Sequence, residues 1–170
     1  MRLALAGDTM LGRKAAESVA EHGPAALVAE EVVAVAREAD VFVLNLECCI
    51  SERGERWPDP RKPFHFRAPP AAVEALVHLG VDCVTLANNH ALDFGEEALL
   101  DTIAYVGEAR IACVGAGADL EDARVVDAHD VTRERLVDDV AFLRDELRRV
   151  RETEERRVGK ECRSRWSPYH

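Results

Sequence analysis

Four short apolar runs divide the chain: RLALAG (2–7), VFVLNLE (41–47), VDCVTLA (81–87) and ARIACVG (109–115). Each predicts a strand. VFVLNLE is apolar on both faces, as a buried parallel strand requires. Helical patterns lie between them. Residues 13–38 read as helical with a break at Gly23-Pro24. Residues 71–80 read as a helix closed by Gly80, and 96–106 as another. A last helix is predicted over 133–150, with Leu136, Val140, Leu143 and Leu147 as its apolar stripe. Residues 51–63 are charged and hold three prolines, so they form a loop. PFHFRAPP (63–70) reads as extended, because proline disfavours helix on either side. Asp93 and Glu96 have capping-box spacing, which predicts Asp93 as the N-cap of the helix at 96–106. Strand–helix alternation with short links gives an α/β fold with a largely parallel sheet.

In such sheets ligands gather at the carboxyl ends of the strands. Asp8 follows the first strand, Asn45 and Glu47 end the second, and Asn88, Asn89 and His90 follow the third. Asn45 and Glu47 are two apart on a strand and face the same side. Taken singly, each has an ordinary role. Asp8 suits a turn or cap, Glu47 a solvated strand end, the asparagines a tight αL turn, and His90 a core position with one hydrogen bond. Asn45 suits a backbone support as well as a site. Their convergence on one rim is what points to chemistry. Two carboxylates, an amide oxygen and an imidazole suit a divalent metal, with Mn, Mg or Fe favoured over Zn by the oxygen-rich set. Such a metal activates water and clamps the oxygens of a phosphoryl or acyl group, and His90 could protonate a leaving group. GAGADL (115–120) is a weak match to a dinucleotide loop, since Leu120 stands where a small residue is needed. It reads instead as a turn, with Asp119 capping a short helix.

At 170 residues the chain is long enough for one domain with a core. The net charge of −10 and 5% aromatic content do not suggest nucleic-acid binding. No apolar run reaches membrane-spanning length, and MRLALAGD is too short for a signal peptide. As written the chain is cytoplasmic; a membrane-anchored or extracellular protein follows if Met1 is not the true start. Cys48, Cys49, Cys83, Cys113 and Cys162 form no CxxC pair and no disulfide framework. Cys83 and Cys113 read as small core residues. Cys48 and Cys49 follow Glu47 but alternate across the strand without a partner pair, so a thiolate metal site is not supported. The last stretch, EERRVGKECRSRWSPYH (154–170), breaks the chain's acidic character and resembles the in-frame translation of a common sequencing adapter. It is set aside from fold and function.

GDTMLGR (7–13), NLECCIS (45–51), KPFHFRAPP (62–70), LANNHALDFGEEALLDT (86–102) and VGAGADLEDA (114–123) together resemble the capsule-synthesis CapA family, also called the poly-γ-glutamate biosynthesis protein family. That family is similar to the calcineurin-like metallophosphoesterases. The resemblance implies a layered α/β sandwich with a dinuclear metal site at the strand ends. It implies Asp8, Glu47 and Asn89 as metal ligands and His90 as the catalytic residue, with Asn45, Asn88 and Asp93 in support. Met10 stands where the wider superfamily has a metal-binding histidine, which leaves the number of metals open. The family's later His-Trp-Gly segment and histidine loop are absent. The expectation is therefore the N-terminal part of a metallophosphoesterase domain over 1–152, an artefactual tail over 153–170, and a natural protein that continues past about residue 152. The implied function is a metal-dependent phosphoesterase-like hydrolase of capsule or poly-γ-glutamate biosynthesis, acting with that machinery or on a small phosphorylated substrate. The alternatives are a non-catalytic accessory or binding module, or a fragment that is inactive as recorded, poorly soluble and without phosphatase activity.

Overall fold

In a computed structural model of the chain, the structure describes residues 2–119 and 122–124. The helix predicted over 133–150 and the tail at 153–170 lie outside the described residues. Six strands and four helices are described: β1 (Leu3–Thr9), α1 (Lys14–His22), α2 (Glu30–Ala36), β2 (Val41–Leu46), β3 (Cys49–Ile50), β4 (Arg67–Ala68), α3 (Val73–Leu79), β5 (Cys83–Thr85), α4 (Gly95–Glu108) and β6 (Ala112–Val114). The fold is mixed α/β. A four-stranded sheet runs β1-β2-β5-β6, and every neighbouring pair is parallel.

The sequence explains most of this order. β2 sits between β1 and β5, and its Phe42, Leu44 and Leu46 are buried together with Leu76, Val84 and Leu99 in the main core. β1 is at the edge of this sheet, and Leu5 there is 61% exposed. The predicted break at Gly23-Pro24 is real: α1 ends at His22, Gly23 takes φ 80°, and Pro24 opens a turn of 3-10 helix. Gly80 closes α3 in the left-handed conformation, which glycine adopts without a Cβ clash. Asp119 Oδ1 accepts from Asp122 N at 3.0 Å and so caps the short 3-10 turn at Asp122–Arg124, as expected.

Two features depart from the sequence reading. The extended segment after Pro63 does more than link elements. Its Arg67–Ala68 pair with Cys49–Ile50 as a second, two-stranded parallel sheet directly beyond the end of β2. Thr102 of α4 anchors that sheet: its buried hydroxyl accepts from Ile50 N at 2.8 Å and donates to Ala98 O at 2.6 Å. The capping box is the clearer correction. α4 begins at Gly95 with Phe94 in the cap position and no side-chain cap. Asp93 is wholly buried and turned toward His90 instead.

Candidate functional site

A bulge sets the first side chain. Ala6 pairs with Leu44 but Asp8 pairs with Asn45, so β1 carries one extra residue, at Gly7. A bulge of this kind re-aims the residue that follows. Here it puts Asp8 beside Asn45, whose Nδ2 donates to Asp8 Oδ1 at 2.7 Å. Asn45 Oδ1 in turn accepts from Asn88 Nδ2 at 2.9 Å. Asn88 Nδ2 also donates to Leu46 O, and Asn88 Oδ1 accepts from His90 N, both at 2.9 Å. Both amide hydrogens of Asn88 are thus used, so it acts as a fastener between β2 and the turn after β5.

His90 is nearly buried, and its Nδ1 lies 2.7 Å from Asp93 Oδ2. An ionised carboxylate only accepts, so Nδ1 carries the proton and Nε2 is left as the working nitrogen. Phe66 stacks on the imidazole with ring centroids 4.2 Å apart. Asp93 Oδ2 also accepts from Phe66 N at 2.6 Å. The Lys62 ammonium forms an ion pair with Asp93 Oδ1 at 2.5 Å, out of line for a hydrogen bond, and donates to the backbone oxygen of Asn89. Trp57 N donates to Asp93 O at 2.9 Å, which ties the proline-rich loop to the same residue.

The structure therefore joins Asp8, Asn45, Asn88, His90 and Asp93 in one hydrogen-bonded series. Glu47 and Asn89 stand beside that series without joining it. Glu47 N donates to Thr9 O at 2.9 Å, and its carboxylate makes no hydrogen bond to a described residue. Asn89 is exposed, and its side-chain amide likewise makes none. Asp8 Oδ2, the Glu47 carboxylate and Asn89 Oδ1 are hard oxygen donors without a described protein partner, which fits a divalent cation. Among the described residues, no group of three His, Cys, Asp or Glu side chains converges to hold a metal ion. Burial pushes the Cys48 thiol up to about 11 and the Cys49 thiol up to about 12, so neither supplies a thiolate to this rim near neutral pH.

Three contributors went unassigned in the sequence reading. Lys62 and Phe66 sit in KPFHFRAPP, which reads as loop and extended chain and as a family motif, with no site role given to either residue. Arg13 closes GDTMLGR. It has φ 53° and ψ −128°, a conformation that costs a non-glycine residue about 1–3 kcal/mol. Its guanidinium lies over Phe66 at 4.8 Å and over Phe64 at 5.6 Å. Gly12 before it is fixed in place: an added Cβ would stand 2.5 Å from Arg67 O, and Gly12 N donates to Met10 Sδ at 3.1 Å. Met10 is thereby tied into its own loop.

Residues 2–161 match the family described as bacterial capsule synthesis protein PGA_cap. The chain belongs to this family. The PGA_cap family falls within the metallophosphoesterase superfamily, in agreement with the mixed α/β fold and its parallel sheet. The chain is 49% identical over 85 residues to a probable polyglutamine synthesis accessory protein of Mycobacterium tuberculosis, covering 50% of this chain and 22% of that protein. It is 30% identical over 125 residues to the capsule biosynthesis protein CapA of Bacillus anthracis, covering 73% of this chain and 30% of the relative. It is 29% identical over 118 residues to the PGA biosynthesis protein CapA of Bacillus subtilis, covering 69% and 30%. The aligned part of this PGA_cap chain thus spans under a third of the curated relatives.

Proposed function

We propose that this PGA_cap chain carries part of a metal-dependent phosphoesterase-like hydrolase of capsule or poly-γ-glutamate biosynthesis. Asp8, Glu47 and Asn89 are its metal-binding residues, and His90 is its general acid. A divalent ion, with Mn, Mg or Fe suited to oxygen donors, would supply an activated water and a clamp on the substrate's oxyanion. The observation that carries the reading is the hydrogen-bonded series from Asp8 to Asp93. It ties a carboxylate at one strand end to an oriented imidazole at another. Asn45 and Asn88 hold the two apart at fixed spacing. Asp93 holds the Nδ1–H of His90, so the imidazole takes its second proton on Nε2 and passes that proton to a leaving oxygen. Family membership and the likeness to the CapA proteins of capsule and PGA biosynthesis support the capsule setting.

A second reading is a non-catalytic accessory module that binds a partner of the capsule machinery. The Mycobacterium tuberculosis relative, a probable accessory protein, favours it. One experiment separates the two: hydrolysis of p-nitrophenyl phosphate with Mn(II), on the protein as its source locus encodes it. The enzyme reading expects Mn-dependent turnover that falls about 100-fold or more in His90→Ala, with bound metal unchanged. An absence of turnover with metal bound, or turnover indifferent to His90→Ala, would favour the accessory module.

A further inference from the structure

We propose that Arg13 is an oxyanion-binding residue at this rim, gripping an anionic group of the substrate one phenyl ring away from His90. The assignment rests on the hydrolase reading only for where the substrate sits. Phe66 is shared: it stacks on the His90 imidazole, and Arg13 lies over the same ring. The ring contacts leave the N–H donors of Arg13 without an acceptor among the described residues, and a guanidinium presents them in a fork that matches two oxygens of a phosphate or a carboxylate. Arg13 is exposed and makes no ion pair or side-chain hydrogen bond with a described residue.

The backbone adds an independent observation. Arg13 holds a positive φ that glycine would adopt without strain, and Gly12 before it runs so close to Arg67 O that an added Cβ would stand 2.5 Å away. The two exposed cation–ring contacts offset only part of the upper range of that strain. Strained non-glycine positions of this kind recur at ligand clamps. Electrostatics point the same way. The chain has a net charge of −10, and Asp8 and Glu47 border the rim, so a guanidinium there favours the approach of an anionic substrate.

The test is equilibrium binding of inorganic phosphate, and separately of glutarate, to the full chain in EDTA. Arg13→Gln is expected to weaken binding about tenfold or more, the loss of a charge-assisted pair. Arg13→Lys should restore only part of it, because an ammonium lacks the fork. Arg13→Gly removes the guanidinium and relieves the strain, so it should lose binding while its unfolding midpoint stays level or rises; that separates binding from folding. Lys14→Gln, with the same charge change one residue on, should leave binding unchanged. Arg13-dependent binding of phosphate assigns a phosphoryl group, and of glutarate a carboxylate. Equal binding by wild type and Arg13→Gln, an equal loss in Lys14→Gln, or no binding of either probe overturns the assignment. Because EDTA removes metal, Arg13-dependent binding would stand even if Asp8 and Glu47 proved to hold no ion.

Discussion

Asp93 shows what a short sequence motif leaves open. Asp-x-x-Glu spacing satisfies a capping box, yet the carboxylate faces an imidazole three residues earlier rather than the amides of its own helix. Spacing alone does not distinguish these partners; burial does, and burial depends on the loop that crosses above. Asp8, Asn45, Asn88 and His90 were legible because strand ends of a parallel sheet converge whatever the loops do. Lys62 was not, because it reaches Asp93 from 31 positions earlier in a loop without regular structure. Its role leads to a prediction. Asp93 is wholly buried and Lys62 is the cation beside it. Lys62→Ala should therefore destabilise the chain by up to about 3 kcal/mol, the low end for breaking a buried pair, since Lys62 keeps some solvent exposure. Urea unfolding would measure this. A loss near zero would mean that Phe66 N and His90 satisfy Asp93 unaided.

At the scale of elements, the strand centres followed from the apolar runs, whereas their ends did not. VDCVTLA predicted seven residues of strand and β5 has three: Leu86 N to Val114 O is the last rung of its pairing with β6, and Asn88 N then donates to Leu86 O as the chain turns toward the site. The two-stranded sheet of β3 and β4 was not legible. Its partners, Cys49 and Arg67, are far apart in sequence and each strand is two residues long. Such short strands have little stability of their own, and tertiary contacts hold them. Arg53 and Ser51 bond Asp101 of α4, which holds that carboxyl down to about 2, and Thr102 bonds Ile50 directly. Thr102→Val keeps the side-chain shape but leaves Ile50 N–H buried without its acceptor. It should cost about 1–3 kcal/mol, read as a shift in the denaturation midpoint at constant slope. An unchanged midpoint would show that the Thr102 hydroxyl does not hold β3 in place.

The whole described unit is a parallel sheet whose β1, β2 and β5 ends deliver side chains from three separate stretches of sequence to one rim. That arrangement was readable from apolar periodicity and from the general behaviour of α/β sheets. Leu5 is exposed on β1 at the edge of the sheet, and no sequence pattern marks which strand will form that edge. The assembly of the rim is also where the account is most open to refutation. Binding of Mn(II), followed by loss of the free-ion electron paramagnetic resonance signal, tests it directly. The account predicts saturable binding that weakens about tenfold or more in Asp8→Asn and in Glu47→Gln, and that persists in His90→Ala. Binding that is the same in all four proteins, or absent from the unaltered chain at millimolar Mn(II), would contradict the assignment of this rim as a metal site.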